Sequence, residues 1–201
     1  MKYLPLLASI FATISIVSAK ETVGDAAHIA RELIQTSSIG TLSSTYPSGH
    51  DLAGQPFGLM EYYAPCYANG SLAILFFGIS QNGRNILASP GQAASISIQS
   101  PPSYSLATKP RVALVGNVTV FSSHYEGGEA LKECYKQSHP DAWWVPGNKA
   151  GVHDAVWARF DPHTIYFVGG FGGMHYIGHI PLDIFQNAHA ASPPRMRIQG
   201  Q

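Results

Sequence analysis

The sequence predicts a mainly β domain with peripheral helices, and three observations carry that expectation. Glycine (20), proline (14), tyrosine (10) and phenylalanine (9) are abundant while only 12% of residues are charged, which favours strands joined by turns over a helical bundle. The apolar pattern switches between period two and period 3.6 in the order helix, strands, short helix, strands, helix, strands. That order does not alternate strand with helix as a doubly wound parallel sheet does, so a closed antiparallel barrel is expected.

The first 19 residues read as a cleavable signal peptide. Lys2 supplies a positive start, Leu4 to Val17 is an apolar run broken only by Pro5 and small or hydroxylated residues, and Val17-Ser18-Ala19 offers small residues for cleavage before Lys20-Glu21. The run is too short to cross a bilayer core of about 30 Å comfortably, and no second run of about 18 apolar residues follows. A buried amino-terminal helix would need a polar face that this segment lacks. The expected product has no membrane span and is secreted or carried to a vacuolar or lysosomal compartment. Residues 20–187 form its one domain, and 188–201 are a tail without structure.

The elements follow in order. Asp25 can cap a helix whose Ala26, Ile29, Ala30, Leu33 and Ile34 share a face. Ile39 to Tyr46 and Phe57 to Tyr63 read as strands around an open loop rich in turn formers, and Leu72 to Gly78 as a strand buried on both faces. A polar turn, Ser80 to Arg84, leads into a brief helix through Leu87 that Ser89-Pro90-Gly91 stops. Strands at Ala93 to Gln99 and Arg111 to Phe121 come next. In the second, Val112, Leu114, Gly116, Val118 and Val120 share one face, and Ala113, Val115, Asn117 and Thr119 the other. Glu126 to Gln137 reads as a helix ending before His139-Pro140. Val156 to Phe160 and Thr164 to Val168 read as two strand pieces around Asp161-Pro162, and Pro181 to Phe185 as a short final helix.

Charge and cysteine bound the chemistry. Twelve basic residues balance 12 acidic ones, which gives no basic excess for nucleic acid. Cys66 and Cys134 fit an oxidising compartment as one disulfide, with two buried thiols the alternative that sequence leaves open. Asn69-Gly70-Ser71 and Asn117-Val118-Thr119 are glycan acceptors in an exported chain. His175 and His179 are four apart, but their glycine-rich context does not place them on one helix face, and no metal site is expected. No Gly-x-Ser-x-Gly elbow is present, and no catalytic residue is nominated. Trp143-Trp144, Tyr62-Tyr63 and Tyr67 are candidates for an exposed aromatic patch or for core packing.

Several local patterns, in order, resemble one family. They are Ile39-Gly-Thr-Leu, Gln55-Pro56-Phe57, Asn85-Ile-Leu-Ala-Ser-Pro90, His139-Pro140 and Gly169-Gly-Phe-Gly172, the last of which also looks like a segment of haem-utilisation split barrels. Over residues 26 to 187 the chain resembles the secreted CREG proteins, cellular repressors of adenoviral early-gene-stimulated transcription, within the pyridoxamine 5'-phosphate oxidase-like superfamily. The resemblance implies a six-stranded split β-barrel, usually a homodimer with cofactor pockets at the subunit interface. Flavin-binding members hold the FMN phosphate with a serine followed by basic residues before the short helix, and with Arg and Lys on the preceding strands. Here the turn reads Ser80-Gln81-Asn82, the strand from Phe57 to Tyr63 carries Glu61 and no cation, and only Arg84 is placed to reach a phosphate.

Ser80 and Arg84 are therefore the candidate cofactor-binding residues of a degenerate flavin site. The expectation is a non-catalytic binding or regulatory glycoprotein without a cofactor. An FMN-dependent oxidoreductase is the alternative, and haem binding through His175, His179 or His189 a weaker third. Its ligand, protein or small molecule, is not written in these residues.

Overall fold

Apolar alternation and turn chemistry produce eleven main elements in the computed structural model, which describes residues 20–147 and 154–189. They are α1 (Val23–Thr36), β1 (Ile39–Thr45), β2 (Pro56–Ala64), β3 (Leu72–Phe77), α2 (Gln81–Ala88), β4 (Ala93–Gln99), β5 (Arg111–Val120), α3 (Gly128–Ser138), β6 (Ala155–Val168), β7 (Ile177–Ile180) and α4 (Leu182–Asn187). The strands hydrogen-bond in the order β3-β2-β1-β4-β5-β6-β7, every pair antiparallel, and β3 also pairs with β6. Strands β1 to β6 thus close a six-stranded barrel, and β7 adds to the carboxyl half of β6. Among the described residues no helix is long and apolar enough to cross a membrane. The expected signal peptide, and the tail from residue 190 on, lie outside the described residues.

The barrel interior comes from one face of each strand. Leu42, Ile96, Ile98, Val112, Leu114 and Val118 point inward, and Ala26, Ala27, Ala30, Leu33 and Ile34 of α1 pack onto the same core. A second core lies outside the barrel wall. Strand β3 serves both: Leu72, Ile74 and Phe76 face inward, while Ala73 and Leu75 face Leu131, Cys134 and Tyr135 of α3. This explains its unbroken apolar run. Cys66 and Cys134 are disulfide-bonded, tying the β2–β3 loop to α3.

Five local points of the sequence reading need revision. The helix cap is Thr22; Asp25 sits three residues on and completes a reciprocal box, its carboxylate accepting from the Thr22 N–H at 2.9 Å and its N–H donating to the Thr22 hydroxyl at 3.2 Å. Helix α3 begins at Gly128, two residues later than expected. The two strand pieces around Asp161-Pro162 are one strand, β6, because the register against β5 shifts between Val115 and Gly116, with Pro162 opposite Gly116, Thr164 opposite Val115 and His163 the extra residue of the bulge. Gly116 permits this: a Cβ there would lie 2.2 Å from the Asp161 carbonyl oxygen. Strand β7 was not foreseen, since Ile177-Gly-His-Ile180 is only four residues long and follows a glycine-rich loop. Ala188 and His189, assigned to the tail, pack on the domain: Ala188 is buried, and the His189 carbonyl accepts from His28 Nδ1 at 2.9 Å.

The disulfide closes a long loop, at a sequence separation of 68. Replacing both cysteines by serine should lower the unfolding free energy by about 2–4 kcal/mol in a denaturant titration, with α3 more affected than the barrel in amide exchange.

Candidate functional site

Helix α2 positions both nominated residues. Ser80 is its N-cap, and its hydroxyl accepts from the Gly83 N–H at 2.9 Å while donating to the Phe77 carbonyl at 2.8 Å. Its proton and one lone pair are thus committed to the turn. Arg84 is exposed and folds back along the same turn, donating to the Ile79 carbonyl and, at 2.7 Å, to Gln81 Oε1. The structure brings the two into one turn, with Arg84 turned to solvent and away from the barrel.

What fixes α2 is a polar network that sequence reading missed. Ser44 Oγ donates to Asn82 Oδ1 at 2.7 Å, Asn82 Nδ2 donates to the Leu42 carbonyl at 3.1 Å, and Asn85 Nδ2 donates to Ser44 Oγ at 3.1 Å. Gln81 Nε2 donates to Asn85 Oδ1 at 2.8 Å. Ser44, Asn82 and Asn85 are buried, and the network hydrogen-bonds each of them. The available signal was the spacing of Asn82 and Asn85, three apart on one helix face. Beside this network a cleft of about 470 Å³ opens between the ends of β1 and β4, lined by Ser43, Thr45, Ser89 and Ser95 among others and by no Lys or Arg. Its walls offer hydroxyls and no positive charge.

Strand β2 carries one charged residue, the carboxylate Glu61, and no cation. Glu61 is half-buried, and burial raises its carboxyl to about 7, opposed only by a 3.3 Å hydrogen bond from the Tyr62 N–H. Tyr62 stacks on His139 at 4.3 Å and donates its hydroxyl to Asp141 Oδ2 at 3.1 Å. His139 is buried, donates from Nε2 to the Tyr63 carbonyl at 2.8 Å, and lies 4.7 Å from the Tyr135 ring. Burial first, then the Glu61, Tyr62 and Asp141 groups, push the Tyr135 phenol up, and its hydroxyl has no hydrogen-bond partner among the described residues. Of the candidate aromatic patch, Tyr63 and Tyr67 are core, Tyr62 and Trp144 are half-buried, and Trp143 is 53% exposed.

The remaining nominated residues are dispersed. Asn69 is exposed in a turn where its Oδ1 accepts from the Ser71 N–H at 3.1 Å, while Asn117 Nδ2 donates to the Gly91 carbonyl at 2.7 Å. His175 Nδ1 pairs with Glu21 Oε2 at 3.1 Å, and the His179 ring meets Tyr166 edge-on at 5.1 Å. Among the described residues no group of three or more His, Cys, Asp or Glu could hold a metal ion.

A family model described as "CREG, beta-barrel" matches residues 21–187. No curated protein matches the chain by sequence. Among solved structures the chain is similar to a haem-binding protein from Mycobacterium smegmatis, at 20% identity and a TM-score of 0.66, over 82% of this chain and 61% of that one. It is also similar to the haem storage protein HutZ from Vibrio cholerae, at 13% identity and 0.50, over 73% and 92%. A pyridoxamine 5'-phosphate oxidase-related, FMN-binding protein from Nostoc punctiforme follows at 16% identity and 0.48, over 68% and 76%. The chain therefore spans less than two thirds of the Mycobacterium protein. At these identities the likenesses to the Mycobacterium and Vibrio proteins show the fold alone.

Two measurements probe the site. Replacing Asn85 by Ala strips partners from Ser44 and Gln81 and should cost about 2 kcal/mol in chemical unfolding. Folded Glu61 keeps its proton up to about pH 7, whereas an unperturbed glutamate releases it near 4.5. Between those values the folded state holds the extra proton, so this group lowers stability as pH rises through the window and adds a constant penalty above it. Glu61→Gln should therefore unfold with parent-like stability at pH 5 and be more stable than the parent by about 1–2 kcal/mol at pH 8.

Proposed function

We propose that this chain, which belongs to the CREG β-barrel family, is an exported glycoprotein that acts by binding at a dimeric surface, without turnover, and that its flavin site is degenerate. One observation carries the reading: the Ser80 hydroxyl and the Arg84 guanidinium, the residues available for an FMN phosphate, are both engaged within their own turn. A phosphate dianion gains about 1.5–3 kcal/mol from each charge-assisted hydrogen bond, so losing several such donors removes most of its anchor. Glu61 on β2 adds a carboxylate that repels a phosphate whenever it is ionised.

The surface supports association. The outer row Met60, Thr41, Ser97 and Ala113 runs across four paired strands, and the next row places Gly58, Ser43, Ser95 and Val115 side by side. Met60 is 57% and Val115 41% exposed, and the residues between them are small, so a second sheet can approach closely. Export is supported by the Cys66–Cys134 bridge, which belongs to an oxidising compartment. The turn geometry favours Asn69 over Asn117 as the glycan carrier, because the Asn117 amide nitrogen is held to the Gly91 carbonyl in a paired strand.

The flavin-dependent reading stays second, favoured by the hydroxyl-lined cleft between β1 and β4. Haem binding is third. The likeness to haem proteins favours it, while His175 and His179 already have partners in Glu21 and Tyr166.

Absorption spectra of the purified, exported protein separate the three. The proposal predicts a colourless dimer that excess FMN does not convert to a stoichiometric complex. A stoichiometric flavin spectrum overturns it in favour of the second reading, and a Soret band in favour of the third.

A further inference from the structure

Two loops leave the barrel at one end. Gln99, Arg111, Val168 and Ile177 stand side by side across β4, β5, β6 and β7, so the β4–β5 and β6–β7 connections start from the same end of the sheet. The loops touch: a Cβ on Gly170 would lie 2.8 Å from the Thr108 carbonyl oxygen. The first residues of the domain join them, with the Glu21 N–H donating to the Met174 carbonyl at 2.8 Å.

The loop tips are apolar and face solvent. Tyr104 is fully exposed, Phe171 is 60% exposed, and Leu106 and Met174 are exposed as well. The chain beside Phe171 stands clear of the domain, since a Cβ on Gly172 or Gly173 would meet no atom of the described residues within 4 Å.

Charge follows the same pattern. Residues 100–111 and 169–177 contain no Asp or Glu. They contribute Lys109, which is exposed, and Arg111, whose guanidinium lies along the first loop and donates to the Ala107 carbonyl at 3.0 Å. Lys20 is exposed one residue before the Met174 contact. Of the acids that enter with it, Glu21 is turned inward, its side chain 10% exposed and paired with His175. The Asp25 carboxylate is held by the Thr22 N–H and hydroxyl at 2.9 and 2.6 Å.

A bilayer surface fits this arrangement better than a folded partner does. A stable protein interface buries about 800 Å² on each side over a continuous, close-packed patch. Side chains on two loop tips instead present separate knobs, which enter a headgroup layer with the tyrosine at the water boundary and the apolar groups below it. The surrounding cations meet anionic headgroups.

We propose that the β4–β5 and β6–β7 loops form a docking surface for an anionic lipid bilayer. Tyr104, Leu106, Phe171 and Met174 enter the headgroup layer, and Lys20, Lys109 and Arg111 meet its negative charge. Helix α2, which carries Arg84 and is capped by Ser80, leads into the other end of β4, at Ala93, so the docking surface does not depend on whether the barrel holds a flavin.

Co-sedimentation of the full exported protein with vesicles tests this. Vesicles of phosphatidylcholine with about 30% phosphatidylserine should bind it on the order of tenfold more tightly than phosphatidylcholine alone, and added salt should shrink the difference. Phe171→Ser should weaken binding to the anionic vesicles by on the order of tenfold and Lys109→Glu by several-fold, with elution in size-exclusion chromatography unchanged. Equal sedimentation of the parent with both vesicles, or none with either, overturns the proposal, as does unchanged binding of folded Phe171→Ser. A Phe171→Ser variant that elutes at lower mass than the parent assigns the loop to contact with a second copy and also overturns it. The parent comparison decides the matter if a variant does not fold.

Discussion

The architecture depends on one close backbone contact, Gly116 against the Asp161 carbonyl. Any side chain at 116 would collide with that oxygen, so the absence of a Cβ lets β6 run past Asp161-Pro162 as a bulged, continuous strand. Continuity matters because β6 has three partners. It pairs with β5 along its length, closes the barrel through β3 with its amino half, and holds β7 with its carboxyl half. Broken at Pro162, it would leave the barrel open at β3 or lose its added edge strand.

The same point on β6 organises the second core. Asp161 pairs with Arg159 at 2.9 Å and accepts the buried Ser71 hydroxyl at 2.7 Å, so the turn bearing Asn69 is fixed from below. The Arg31 guanidinium grips that turn from the other side through the Ala68 carbonyl and lies 5.2 Å over the Phe185 ring. Cys66, just before it, carries the constraint to Cys134 and hence to α3, which presents Tyr135 to His139. The bulge, the turn, the disulfide and the packed rings of Tyr62, His139 and Tyr135 form a single chain of contacts, although their residues span 62 to 163 in sequence.

Much of the fold was legible because it is periodic. The alternation of β5 separated Val112, Leu114, Gly116 and Val118 from their half-buried or exposed neighbours, and the double-sided burial of β3 was visible in its composition. Misreadings arose where tertiary pairing overrides a local rule. Proline ordinarily ends a strand, and only the glycine on the neighbouring strand reverses that at Pro162. The Thr22 cap was written in the Thr22-x-x-Asp25 spacing, but the more acidic residue drew the assignment. Sequence nominated Ser80 and Arg84 but not their orientation, which follows from carbonyls of Phe77 and Ile79 that carry no residue-specific signal. The stacking of Tyr62 on His139 joins residues far apart in the chain, and no spacing rule encodes it.

On the reading proposed for this chain, the Ser80 hydroxyl and the Arg84 guanidinium are engaged by the turn that caps α2 and are not presented to a phosphate, and β2 carries a carboxylate and no cation. The central claim is that the phosphate of FMN finds no anchor here. Calorimetric titration of the purified protein with FMN and with riboflavin, which differ by that phosphate alone, tests it most directly. The account predicts that FMN binds no more tightly than riboflavin, and that neither binds strongly. FMN binding a hundredfold or more tightly than riboflavin, about 2.7 kcal/mol from the phosphate, would contradict it.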